Sequence, residues 1–246
     1  MLRRIVCTAL LAAGVAHAES PAPAAPEAKK VTLVAKATIG ADGRITGLEW
    51  LGDNKIEQLL QARLEPRVRA WEFTPGALDG VPAETRTRLS VTLSARPAAD
   101  GGLALEVLGA GTGPTLLVRH APAYPSAALR GLREALVTTT MSINADGTTS
   151  AGEIEVEASH GDERAFRDAV KQAMAKWSYE PETVGGRPVT GTFRVPTTFC
   201  LPDDSDWCAR RKAEKAAAGM PMAKDGEAVG LESAVKLKTE VAGQAI

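Results

Sequence analysis

The feature that most constrains this chain is a motif that occurs twice. Trp71-Glu72-Phe73-Thr74-Pro75 resembles Trp177-Ser178-Tyr179-Glu180-Pro181, and each is followed by Gly-x-Pro, at Gly80-Val81-Pro82 and Gly186-Arg187-Pro188. The offset is 106 throughout (177 − 71, 186 − 80). Upstream, Ala41-Asp42-Gly43 recurs as Ala145-Asp146-Gly147, at an offset of 104 (147 − 43). A constant offset with a two-residue change is what a duplicated unit with one altered loop produces.

Both copies predict the same elements. Val31, Leu33, Ala35, Ala37 and Ile39 recur every second residue, as a half-buried strand requires. Asp42-Gly43 supplies a tight turn, and a strand is expected over 44–51. Ile56, Leu60, Leu64 and Val68 fall four apart on one helical face, with Pro66 expected to kink or split that helix. A closing strand alternates over 83–95, with Thr85, Thr87, Leu89, Val91 and Leu93 on one face. In the second copy, strands are expected over 136–144 and 149–157. A helix follows from an N-cap at Asp162, and Phe166, Ala169, Val170, Ala173, Met174 and Trp177 form its apolar stripe. The last strand covers 189–199.

The expected fold class is therefore α+β: two tandem small modules, each a three-stranded antiparallel sheet packed on one helix. A unit of about 65 residues lies near the lower limit for independent stability, and pairing two would ease it. The domain reading is a signal peptide at 1–18, a short Pro/Ala linker at 19–28, a first repeat at 29–95 and a spacer at 96–120. A second repeat at 121–201 and a polar tail at 202–246 complete it. Within the spacer, Leu103 to Leu108 and Thr115 to Val118 are runs able to add a strand.

The ends of the chain bear on compartment. Arg3 and Arg4, the apolar run from Ile5 to Val15, and Ala16-His17-Ala18 have the charge, length and small-residue pattern of a cleavable export signal. The run is too short to span a bilayer, which takes about 20 residues. Loss of two arginines would move the formal charge from −1 to −3, which gives no footprint for nucleic acid. Cys7 would leave with the signal. Cys200 and Cys208 remain, an even pair expected to form a disulfide after export. In the tail, Arg210, Arg211, Lys212 and Lys215 alternate with alanines as an exposed helix would, and 227–240 is expected to form a second short helix. Too few large apolar groups are present to predict burial of either.

The second copy resembles the TonB C-terminal domain family. The residues that carry the resemblance are Pro122-Ala123-Tyr124-Pro125, the strand ending at Asn144-Ala145-Asp146-Gly147, and Trp177-Ser178-Tyr179-Glu180-Pro181. Gly185-Gly186-Arg187-Pro188-Val189 and the strand end at Thr198-Phe199 complete the set. The first copy shares the later half of the pattern and lacks the Tyr-Pro lead-in, so it is read as a degenerate relative. The resemblance implies a periplasmic protein that binds peptide segments of outer-membrane receptors or other envelope proteins by strand addition, a mode resting on main-chain hydrogen bonds. It places the partner-binding edge on Val189, Thr190, Gly191, Thr192, Phe193, Arg194 and Val195. The alternative is that this strand pairs with the other copy, making a structural envelope protein. A homodimer stays open. The chain departs from the family in having a short export signal where TonB proteins carry a membrane helix. Its only Pro-rich stretch, Pro21 to Pro26, reaches about 20 Å at about 3.1 Å per residue, so force transmission from the inner membrane is not expected of it.

No catalytic constellation, cofactor or metal site is predicted. His120 and His160 have no ligand partner at metal spacing. Asp203, Asp204 and Asp206 lack the glycine and distal glutamate of a calcium loop. Gly109-Ala110-Gly111-Thr112-Gly113 has no P-loop lysine after it. Trp71 and Trp177 are expected as core anchors.

Overall fold

In the computed structural model, which describes residues 28–98, 102–161, 163–202, 206–217 and 229–246, the alternating segments pair into two main antiparallel sheets. The expected export signal, the linker prolines, the Asp162 cap, Asp203 and Asp204 lie outside the described residues. Among the described residues no helix is long and apolar enough to cross a membrane.

The first sheet begins with β1 (Lys29–Ile39), which turns into β2 (Ile45–Trp50). Gly43 makes that turn at φ +80°, and a Cβ there would stand 2.2 Å from the Phe73 carbonyl oxygen, so glycine is required twice over. Helix α1 (Lys55–Arg69) starts at Asn54, whose side chain accepts the Glu57 N–H at 2.9 Å. Leu60, Leu64 and Val68 are buried. Ile56 is not, at 66% exposed, so the stripe meets the core only from the second turn onward. Pro66 forgoes its own helical hydrogen bond but does not split the helix. Then come β3 (Phe73–Thr74), a tiny hairpin of β4 (Ala77–Leu78) and β5 (Val81–Pro82), and β6 (Thr85–Pro97). β6 runs antiparallel to the whole of β1, from Lys29 opposite Ala95 to Ile39 opposite Thr85.

The spacer is not a linker. Residues 103–113 form β7 (Leu103–Gly113) on the outer side of β6, so this sheet has a fourth long strand, in the order β2-β1-β6-β7. Leu105 and Val107 point into the core, which explains why the run is structured. The Gly-rich stretch Gly109–Gly113 continues the strand.

The second sheet follows β8 (Thr115–Val118) and the short α2 (Ser126–Arg130). It is built from β9 (Ala135–Ile143), β10 (Thr149–Ala158) and, after α3 (Glu163–Met174), the closing strand β14 (Gly191–Phe199). Between α3 and β14 lie β11 (Ser178–Glu180), β12 (Thr183–Val184) and β13 (Arg187–Pro188). Gly147 repeats the Gly43 geometry, at φ +81°, with a Cβ position 2.2 Å from the Tyr179 carbonyl oxygen. In both places the motif aromatic donates its N–H back to the glycine carbonyl: Phe73 to Gly43 at 2.9 Å, and Tyr179 to Gly147 at 3.0 Å. This contact ties the Asp-Gly turn to the Trp-x-aromatic motif and accounts for both recurring together.

Each sheet has its own core. Trp71, Phe73, Leu33, Ile39, Leu64, Leu89 and Leu93 fill the first, and Phe166, Met174, Trp177, Met141, Ile143, Phe193 and Phe199 the second. Tyr124, Phe166 and Phe199 meet edge-on or tilted, with ring centroids 4.9–6.0 Å apart, which fixes the Pro-Ala-Tyr-Pro segment to the second core.

The tail departs furthest from expectation. Helix α4 (Asp206–Ala217) is present, but 229–246 is not helical: it forms β15 (Val229–Glu232) and β16 (Lys236–Leu237). β16 pairs with β3, and Val235 and Val241 are buried in the first core. The Ile246 N–H donates to the Leu105 carbonyl at 2.9 Å. A few apolar residues suffice because each fills a gap at the open end of a sheet already built.

Candidate functional site: the outer edge of the last strand

β14 alternates as its sequence requires. Phe193, Val195, Thr197 and Phe199 point inward and are buried, while Arg194 is exposed. Its inner edge pairs with β9 along its full length, from Gly191 opposite Ile143 to Phe199 opposite Ala135. Pro196 has no N–H, so it suits a strand laddered on one side there. The outer edge is thereby best equipped for pairing over Gly191 to Val195. Of the residues read as the partner-binding edge, Gly191, Thr192, Phe193, Arg194 and Val195 lie on this strand. Val189 and Thr190 precede it, because the Val189 N–H turns back to the Glu182 carbonyl at 2.9 Å.

That outer edge holds a strand from the same chain. β15 runs antiparallel to β14, with Glu232 opposite Thr192, Gly230 opposite Phe193 and Val229 opposite Arg194. Gly191 permits the approach: a Cβ on it would lie 3.0 Å from the Glu232 carbonyl oxygen and 2.7 Å from the Phe193 ring. The Thr192 hydroxyl donates to Glu232 Oε2 at 3.0 Å.

Immediately after β15 the chain meets Glu182, which sequence reasoning did not single out. Its carboxylate is 4% exposed and accepts from three places at once. Thr87 Oγ1 on β6 donates at 2.6 Å, Ser233 Oγ at 2.8 Å and the Ala234 N–H at 2.8 Å. Nearby, Thr183 and Val184 of β12 pair with Arg86 and Thr85 of β6, so residues of the second motif extend the first sheet. A single acidic residue in a turn carries no sequence signal of donors about 50 and 95 positions away.

The cysteines and histidines take structural places. Cys200 and Cys208 form a disulfide, with Cα atoms 5.9 Å apart, joining the end of β14 to α4. The Glu134 carboxylate lies near both sulfurs, but these are bonded to each other and Glu134 accepts the Leu201 N–H at 2.8 Å, so the group offers no thiolate to a metal. The His120 carbonyl accepts the Trp177 indole N–H at 2.8 Å, and Trp177 and Trp71 are core residues. Against the first sheet, beside the segment around β11 and β12, lies an open cleft of about 540 Å³ bordered by Lys36, Arg86, Thr87, Glu180 and Glu182. Lys36 pairs with Glu180 at 3.1 Å, Arg86 lies 3.8 Å from Glu84, and Glu182 is bound by the donors above.

A search of curated proteins finds no match. Against protein families, residues 120–201 match the model described as Gram-negative bacterial TonB protein C-terminal, about a third of the chain. The stretch that runs from the Trp177 acceptor through the second sheet to the end of β14 is thus similar to the TonB C-terminal domain.

Proposed function

We propose that this chain is an exported, periplasmic binding protein without enzymatic activity, which captures extended peptide segments of outer-membrane receptors or other envelope proteins on the outer edge of β14. The reading includes a tandem duplication, with 29–95 a degenerate relative of 121–201. The observation that carries it is that the β14 edge, within the family-matched stretch, already accepts an antiparallel strand from more than 30 positions downstream. An edge that takes a sequence-remote strand through backbone pairing has the chemistry strand addition needs. The matching turn-to-motif contacts at Gly43 and Gly147 support the duplication.

A second reading, a structural envelope protein whose parts satisfy one another, is favoured by a different observation: β12 joins β6, and the Glu182 carboxylate binds the first sheet and the tail. Site-specific photo-cross-linkers at Thr192 and Arg194 of the exported chain separate the two. Strand capture predicts adducts with extended segments of outer-membrane or envelope proteins, identified by mass spectrometry. Adducts to this chain's own residues 229–232 alone would rule it out in favour of the structural reading.

A further inference from the structure

The two closing strands are covered on their outer edges in different ways. β7 follows β6 through a short connection and pairs with it at ten positions, Arg88 to Pro97. Among the described residues β15 pairs with β14 at three, and the register slips between Thr192 and Phe193, leaving Leu231 without an opposite residue and 43% exposed. Downstream of β15 the chain is held firmly: Ser233 and Ala234 are bound by Glu182 and Val235 is buried in the first core. A slipped strand tethered just beyond its carboxyl end keeps a high effective concentration at the edge while holding few described ladder contacts of its own.

We propose that β15 is a built-in substitute for the partner strand, closing the β14 edge in the free protein and yielding it to an extended peptide of matching pattern. This rests on the strand-capture reading above. The contacts of β15 describe that pattern. The incoming segment runs antiparallel to β14 and presents a carboxylate to the Thr192 hydroxyl, as Glu232 does. It passes close to Gly191, where a side chain on β14 would block its backbone. Opposite Phe193 lies Gly230, whose nearest neighbour for an added Cβ is Ser233 of the tail itself, at 2.8 Å, so the position sets no limit on a foreign segment. The partner class is therefore an extended acidic segment, its carboxylate set opposite Thr192.

The test uses the full chain and, as probe, a fluorescein-labelled synthetic peptide of residues 227–235. Gly230→Pro removes a ladder donor from β15 without touching β14. If the tail closes the edge about nine-tenths of the time, freeing it tightens peptide binding about tenfold. Fluorescence anisotropy should show that gain. Hydrogen exchange at Thr192–Arg194 should be faster in the variant and slow again when peptide is added. Glu232→Ala, which loses only the Thr192 contact, should move both readouts the same way by less, and it serves should Gly230→Pro fail to fold. Equal affinity for parent and variants, unchanged exchange, or no peptide binding by any form would overturn the proposal. Foreign cross-links at Thr192 together with equal peptide affinities would leave strand capture standing and remove only the competing role of the tail. Tighter peptide binding with no foreign cross-links would do the reverse.

Discussion

Replacing Glu182 by alanine tests how the segment before β12, the first sheet and the tail are held together. The carboxylate is buried and gathers the Thr87 hydroxyl, the Ser233 hydroxyl and the Ala234 N–H. After truncation the hydroxyls have other acceptors: Thr87 Oγ1 lies 3.3 Å from the Gly113 carbonyl, and Ser233 Oγ lies 3.2 Å from Thr112 Oγ1. The Ala234 N–H is half-buried and would be left to water. Hydrogen bonds to a charged acceptor are worth about 1.5–3 kcal/mol each. The carboxylate's own desolvation cost disappears with it and offsets part of that loss. The expected net destabilisation of Glu182→Ala is therefore about 2–4 kcal/mol, read from urea unfolding of the full chain by tryptophan fluorescence. Limited proteolysis should show faster cutting within 229–246. A double-mutant cycle with Ser233→Ala should be non-additive, since both changes remove one contact. A Glu182→Ala variant within about 0.5 kcal/mol of the parent, the range of ordinary surface substitutions, would refute the idea that this carboxylate joins the first sheet to the tail.

Three further outcomes are expected. Trp177→Phe should cost about 0.5–1.5 kcal/mol more than Trp71→Phe in thermal or urea unfolding, since Trp177 donates to the His120 carbonyl whereas the buried Trp71 Nε1 has no acceptor among the described residues; equal losses would contradict this. Replacing both Cys200 and Cys208 by serine should lower stability by about 2–3 kcal/mol, the loop-entropy value for so short a loop, measured against the parent under non-reducing conditions. Stability should fall in acid. The Thr148 hydroxyl and N–H hold the Asp146 carboxyl below its usual range, and the Arg69 guanidinium, then the Trp50 indole, do the same for Glu65. Their folded values lie below their unfolded ones, so the contribution is present above about pH 4 and is lost as pH falls through the folded values. Urea midpoints between pH 6 and pH 2.5 should drop less in Asp146→Asn and Glu65→Gln than in the parent.

Much of the fold was legible because its signals are periodic or repeated. Alternation located β1, β6, β9 and β14, and the stripe from Phe166 to Met174 marked α3. The tandem motif was visible because the same glycine-to-aromatic contact is built twice. The tail was not legible. Val235, Leu237, Val241 and Ile246 follow neither a helical nor a strand period, because each fills a separate gap in a surface made by other residues. β7 was half legible, since glycines that usually mark a break here continue a strand. The candidate edge was placed by family resemblance; its occupation by β15 depends on pairing across more than 30 positions, which no local pattern encodes. Glu182 was hidden for the same reason.

The burial of Val235 and Val241 beneath β3 and β7 has a consequence for the order of events during synthesis. The chain emerges amino end first, so its earliest long strands, β1 and β2, wait for the latest-made residues before their hydrophobic core is closed. The middle of the molecule, whose core draws only on residues 116–199, can mature ahead of them. Only the last closure of the amino-terminal core depends on contacts of very high sequence separation, the kind that form slowly and leave apolar surface open in the interval. Shortening the carboxyl end would trap that part unfinished while leaving the family-matched region able to fold.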